Sequence, residues 1–417
     1  MPKKRTAIPE LGAMPSDLKP RNRQAVFQVF RELPECTVAD IALKTGISRQ
    51  TVIKAVQFFL EKGLVKKVGK GESSESGGKK PDLYRIEDTS LLLSITMWPN
   101  TLHFNLMNLQ GEVLATEETE TPRFPGAAMA YADLTERLVE FLLRNNAEKD
   151  SLYGVALSTP GIIDYKTGTI MYNAQDPSWG YNIPAEQFLR NILGEKIVVI
   201  IENAGKTTGR AATLEKSFEE KRIAVLFTTW GLSACFIQTG YIHAGVNSLI
   251  GEIGHMTINP AEEEECGCGG YGCFEQMIRI ERVRQRLLKE PEKRRNSLLG
   301  KYKPDKLTIP ILFDASRDGD PFAREIVKEL ARYYAIGLRN ITLNFDPDLV
   351  VFQGDYAHAD DYFCLEVINL LSTFHYSPDK APFTLKFDKR SIFDLDVIGA
   401  AKCLIDHYYE NSSHYED

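Results

Sequence analysis

The sequence predicts an α/β protein in two parts, a small winged helix-turn-helix followed by a large layered α/β body. Three observations carry this reading. Charge is unevenly spread: residues 1–86 hold 17 Lys and Arg against 9 Asp and Glu, so a chain of net charge -7 is basic in front and acidic behind. Two capped helices followed by a basic hairpin pattern fill residues 22–86. Beyond residue 90, strand-like and helical segments interleave, the mark of α/β layers. A length of 417 residues with 43% hydrophobic residues allows two or three domains and an ample core.

The front is read element by element. Val26, Phe27, Val29, Phe30 and Leu33 form a helical stripe that Pro34 ends. Thr37 caps a short helix, VADIALKT, with Asp40 at its third position. Gly46 turns the chain, and Ser48 caps a third helix that Gly63 ends. That helix opens with Arg49, Gln50 and Thr51, then Lys54, residue types that reach base edges and phosphates from the major groove. Two strand-like runs then flank a Gly/Ser/Lys-rich tip, which makes a wing. Its Lys66, Lys67, Lys70, Lys79 and Lys80 are placed to meet phosphates. Residues 20–87 are therefore expected to bind double-stranded DNA, with residues 1–19 as a flexible arm. On charge alone, a solvated Lys-rich terminus reads equally well.

The body, 90–417, opens with three strand-like runs (LLLSITMW, TLHFNLMN, GEVLATEET). Apolar runs at LYGVALSTPG and KIVVIIEN, a helix TTGRAATLEKSF and a second strand pair at IAVLFTTWGLSACFIQ follow. Two similar halves, each starting with a meander, fit this order. No stretch approaches the ~18 consecutive apolar residues of a membrane span, and no apolar segment follows the basic start. A cytoplasmic location without membrane contact is expected.

Of seven cysteines, Cys266, Cys268 and Cys273 lie within eight residues, eleven to eighteen after His255. Thiols of a cytosolic chain stay reduced, so the cluster reads as a metal site. One imidazole and three thiolates suit a closed, structural zinc rather than a catalytic one.

These motifs occur in an order that resembles the ROK family (repressors, open reading frames and sugar kinases): STPGIID, YNAQDPSWG, IIEN, GEIGH, CGCGGYGCFE and DPDLVVFQG. The resemblance covers most of residues 90–410. With its winged front, the chain is similar to the repressor branch, to which the N-acetylglucosamine and xylose repressors belong. The resemblance implies a two-lobed actin-like (ribonuclease-H-like) body, a zinc loop over 255–273, a sugar in the cleft, and a homodimer or tetramer. It implies sugar contacts from Gly161, Asn203, Glu252, His255 and Glu275, with Asn173 a weaker candidate. It also shows departures from the kinases. Their Gly-Gly phosphate turn is replaced by SITMWPNT with Trp98 and Pro99, and their catalytic Asp by Ala204. The second phosphate turn keeps only Gly231 in TTWGLSAC, and Gln353-Gly354-Asp355 replaces a Gly-Gly turn near adenosine. An alanine takes no proton, and loss of a general base alone costs ~10²–10⁴-fold in rate.

The expected function is a DNA-binding regulator of carbohydrate metabolism genes, most simply a repressor, answering to a sugar and without enzyme activity. Two other readings remain open at this stage. One is a sugar kinase with an appended DNA-binding domain. The other is a regulator whose body serves only for dimerisation or protein docking, with the sugar-side residues kept as scaffolding.

Overall fold

The computed structural model describes residues 15–71, 80–174, 176–215, 218, 221–373 and 383–416. The front is a winged helix-turn-helix. Its first helix, Pro15–Glu32, begins earlier than the sequence predicts. Residues 15–19, assigned to a flexible arm, are helical; the helix runs through Pro20, which cannot donate to the carbonyl four residues back. Residues 1–14 lie outside the described residues.

The second helix, Val38–Thr45, opens with a reciprocal capping box. The Thr37 N–H donates to the Asp40 carboxylate at 2.8 Å, and the Asp40 N–H donates back to Thr37 Oγ1 at 3.3 Å. Gly46 closes this helix at φ 71°, a left-handed geometry that suits glycine. The third helix, Arg49–Glu61, is capped by Ser48 and buries Val52, Ala55, Val56 and Phe59. Strands Val65–Lys70 and Asp82–Ile86 pair antiparallel as the wing, and Cys36–Thr37 adds to its edge. The expected wing tip, with Lys79, lies outside the described residues.

The body has two lobes built alike. In the first, Leu91–Met97 pairs antiparallel with Leu102–Met107, which pairs antiparallel with Val113–Thr119. On its other side Leu91–Met97 runs parallel to Leu152–Thr159, and that strand parallel to Val198–Asn203. The second lobe repeats this order and these directions with Arg222–Thr228, Leu232–Gln238 and Tyr241–Ile242 on one side, Leu349–Gly354 and Thr384–Asp388 on the other. This duplication is the two-lobed, actin-like arrangement that the motif order implied. A three-stranded sheet, Gly161–Asp164, Thr169–Asn173 and Tyr181–Ile183, flanks the first lobe. Sequence reading missed it, because its strands are only three to five residues long. The helix expected over TTGRAATLEKSF instead spans Ala204–Arg210 and continues as a 3₁₀ turn to Leu214, since Asn203 caps it three residues earlier.

Each lobe has its own core. Phe104, Phe141 and Leu157 anchor the first; Phe274, Tyr334, Phe352 and Phe363 anchor the second. A third core joins the DNA-binding-type front to the body. Phe27 and Phe59 pack with Leu404, Tyr408 and Tyr409 of the C-terminal helix, Ile392–Glu410. No helix among the described residues is long and apolar enough to cross a membrane.

Candidate functional site

The third helix carries the first candidate surface. Arg49, Gln50, Ile53, Lys54 and Gln57 are exposed, and their spacing puts them on one face. Arg49 and Lys54 make no ion pair with any described residue. Ser48 and Thr51 are partly committed to the cap: Ser48 Oγ accepts the Thr51 N–H at 3.3 Å and lies 2.9 Å from Thr51 Oγ1. Ile53, 54% exposed, was not singled out by sequence reading. An apolar side chain at this place suits a thymine methyl.

The wing lysines are less free than the sequence suggested. Lys67 and Lys70 both pair with Asp82, and Lys66 pairs with Glu87 at 3.0 Å. Hydrogen bonds from Lys67 and Lys70 hold the Asp82 carboxyl down at about 2, so it is charged at any ordinary pH. Exposed pairs of this kind are weak and readily exchanged. Replacing Asp82 with Asn is expected to free two cations for phosphate, tightening binding to any duplex severalfold and steepening its salt dependence. Unchanged affinity across a salt titration would remove the wing from the interface.

The metal ligands expected from sequence come together. The ligand atoms of His255, Cys266, Cys268 and Cys273 all lie within 4.8 Å of one another. Cys268 Sγ is 3.6 Å from Cys273 Sγ, and Cys266 Sγ is 3.9 Å from His255 Nδ1. Zn–S bonds of ~2.3 Å in a tetrahedron set sulfurs about 3.8 Å apart, so the cluster is compatible with a structural zinc. The loop closes through the Cys266 N–H on Gly270 O at 2.7 Å. Gly272 is required: at φ 63°, a Cβ there would sit 1.8 Å from Asn259 O. The acidic run before the cysteines is tied down, Glu262 to Arg282 at 2.8 Å and Glu264 to Arg279 at 2.5 Å.

The sugar-side candidates form two linked groups. Asn203 Nδ2 donates to Gly161 O at 2.6 Å, while its Oδ1 accepts the Lys206 N–H as a helix cap. Gly161 has φ 134°, and a Cβ there would lie 2.2 Å from Tyr172 O. Glu252 lies within electrostatic reach of His255, Lys206 and Glu275, and burial pushes its carboxyl up. Glu275 accepts the Leu232 N–H at 3.1 Å. Asn173 is buried, its amide on Asp176 O at 3.3 Å. Sequence reading missed Lys206, which is 4% exposed. Its ammonium donates to Tyr165 Oη and to Ser248 O, joining the two groups. A buried lysine in a polar loop has no periodic signature.

An aromatic cluster lies where the two lobes meet. Trp98 follows the first strand of the first lobe, and Trp230 occupies the matching hairpin turn of the second. The two rings meet at 5.3 Å. Trp98 also packs on Phe227 at 5.7 Å and on Phe393 at 6.5 Å, beside Ala204. Asp396 is buried next to this cluster, accepting Ser158 Oγ–H at 2.6 Å. Burial pushes its carboxyl up to about 7. Asp396 thus holds a proton in the folded chain that the unfolded chain releases near pH 4. Stability from this group is complete below pH 4 and is lost as pH rises to about 7. Asp396→Asn is expected to flatten that decline and raise the melting temperature above pH 7. Equal losses between pH 4 and 7 in variant and parent would contradict a buried neutral Asp396.

Fold and sites together define a class: a winged helix-turn-helix joined to a two-lobed domain of sugar-kinase type. The chain belongs to the ROK family, whose sequence pattern matches residues 93–405. It is 26% identical over 372 residues to a xylose repressor of Caldicellulosiruptor bescii, covering 84% of this chain and 88% of that protein. It is 23% identical over 350 residues to the DNA-binding transcriptional dual regulator NagC of Escherichia coli, covering 82% of each. A glucokinase of Halalkalibacterium halodurans is 27% identical over 265 residues, covering 63% of this chain and 79% of its own. The crystal structure of a ROK family transcriptional regulator, described as a homologue of the E. coli MLC protein, superposes with a TM-score of 0.76 at 18% identity. It covers 96% of this chain and 100% of its own. The two regulators match over 82–84% of this chain, the glucokinase over 63%.

Proposed function

We propose that this chain is a transcriptional regulator of carbohydrate metabolism genes, acting as a repressor, whose body binds a sugar or sugar derivative and transfers no phosphate. One observation carries the reading furthest: a helix face with uncovered Arg49, Gln50 and Lys54 is joined to a kinase-type cleft whose two phosphate turns meet through Trp98 and Trp230. Bulky side chains stand in the turns where the kinases keep glycines for close approach to phosphate, and Ala204 stands where the kinases have a base. Gly161, Asn203, Glu252, His255 and Glu275 then contact the sugar. Several hydroxyls call for such a set of carboxylates, amide and imidazole. His255 faces Cys266 through Nδ1, which leaves its other nitrogen for the ligand, so a structural zinc orients the pocket. A twofold dimer sets two winged helices on a pseudo-palindromic operator. A sugar alters DNA binding only through unequal affinity for two arrangements of the fronts.

Selection from a random duplex pool, followed by binding at fixed salt, tests the DNA half. Enrichment of a palindromic sequence is expected, and recovery of no sequence would overturn it. A thermal-shift panel of monosaccharides, amino sugars, sugar phosphates and ATP tests the rest. A rise with one sugar class and none with ATP is expected. No shift with any sugar would favour a dimerisation or docking platform, and a clear ATP shift a kinase.

A further inference from the structure

The cleft and the DNA-binding front are joined by a chain of charged side chains across four elements. At the cleft end, Glu202 precedes Asn203 and accepts the Asn203 N–H at 2.8 Å. Its other oxygen faces Arg210 Nη2 at 3.9 Å, beyond direct hydrogen-bond range. Arg210 Nη1 donates to Asp406 Oδ2 at 3.2 Å. Asp406 Oδ1 pairs with Arg31, in the first helix of the front, and accepts Lys402 Nζ at 3.0 Å.

The setting of Arg210 makes this chain adjustable. Glu202 is 8% exposed, and the partly buried Arg210 leaves its Nε–H without a partner. One guanidinium therefore sits between two carboxylates, bonded to one and short of the other. The helix that carries it, Ala204–Arg210, is gripped on both sides. A Cβ on Gly399 of the C-terminal helix would lie 1.8 Å from Thr207 O. A Cβ on Gly209 would lie 2.2 Å from Cys235 Cβ in the second lobe. A shift of this helix therefore cannot be absorbed locally and must move its neighbours. The same helix is capped by Asn203, whose side-chain amide N–H and oxygen, both already bonded, are the atoms a bound hydroxyl would compete for. At the far end Phe27 packs on Tyr408 and Tyr409, one turn from Asp406, so the front rides on the C-terminal helix.

We propose that Arg210 exchanges between Asp406 and Glu202 when the cleft is occupied, and that this exchange resets the grip of Asp406 on Arg31 and hence the placement of the winged helix. The inference rests on the reading of the body as a ligand-controlled regulator. Arg210, Asp406 and Arg31 are positioning residues: none needs to touch sugar or DNA. Burial works against a charged Asp406, but Lys402, Arg31 and Arg210 outweigh it and hold the carboxyl below the ordinary range.

The test uses the full chain and needs neither a known sugar nor a known operator. Amide hydrogen exchange is measured for the parent, Glu202→Gln, Asp406→Asn and the double variant. Glu202→Gln is expected to speed exchange severalfold in Pro15–Glu32 as well as in Ala204–Arg210. In the Asp406→Asn background the added effect on Pro15–Glu32 should vanish, because the link is already cut. A Glu202→Gln effect confined to residues 198–214, or one that simply adds to Asp406→Asn, would overturn the proposal. Arg210→Lys keeps the charge but shortens the reach. It serves if Glu202→Gln fails to fold, and is expected to reproduce the remote effect; no change in Pro15–Glu32 would count against the chain. Failure here with a sugar-dependent operator affinity intact would leave the functional reading standing and remove only this route.

Discussion

Replacing Cys268 with Ser is expected to abolish stoichiometric metal binding and lower the melting temperature by about 10 °C. The serine hydroxyl is a far poorer ligand than a thiolate, and Cys268 supplies one of the four candidate ligand atoms that lie within 4.8 Å of one another. Structural zinc supplies ~10–16 kcal/mol to isolated zinc-finger peptides. Here the flanking strands and helices have their own cores, so the loss is local and of order a few kcal/mol, which sets the size of the melting shift. The loop also positions Glu275, two residues after Cys273, against the Leu232 N–H. Sugar-dependent stabilisation should therefore fall with the metal, while DNA affinity measured without sugar falls less. Atomic absorption on the purified variant decides the matter: an unchanged zinc content would displace the site from these four residues.

Replacing Arg49 with Ala is expected to weaken binding to the selected operator about ten- to a hundredfold. A bidentate arginine–guanine contact is worth ~1–3 kcal/mol of discrimination. Arg49 is exposed at the first position of its helix, so its removal costs little stability and should leave melting and metal content as in the parent. A base contact and a phosphate contact separate cleanly in a titration. Loss of specificity with an unchanged salt slope marks the first, and uniform loss with a slope smaller by about one marks the second. No change in operator affinity at fixed salt would take Arg49 out of the interface.

Much of the front was legible because its determinants are local. Thr37 with Asp40, and Ser48 before Arg49, announce helix starts within four residues, and both caps form where the sequence places them. The cysteine cluster is local in the same way, three ligands within eight residues and a histidine on the preceding turn. Two similar halves were legible as a repeated meander, since alternating apolar runs state a strand's burial without naming its partner, while the two-lobed actin-like arrangement was implied by the family resemblance. Element ends were less secure. The Ala204–Arg210 helix starts at Asn203 because that side chain caps it, and an asparagine after a buried strand reads as a ligand contact just as well.

Sequence by itself determined the order of front and body, the capped third helix and the grouping of His255 with Cys266, Cys268 and Cys273, and, through the family resemblance, the places where Trp98, Pro99 and Ala204 depart from the kinase pattern. Only the tertiary structure decided which charges are free and which are spoken for. It shows Asp82 holding two wing lysines, a buried Lys206 reaching Tyr165 and Ser248, and two tryptophans more than a hundred residues apart in ring contact. It also brings Arg31 to Asp406 across 375 residues, and Arg210 to Asp406 across 196. The reason is physical. A cap is satisfied within one turn of chain and a ligand loop within one short stretch of it, so their residues must stand close together in sequence. An ion pair or ring contact made across folded layers needs only that the layers meet, and no spacing in the sequence records it.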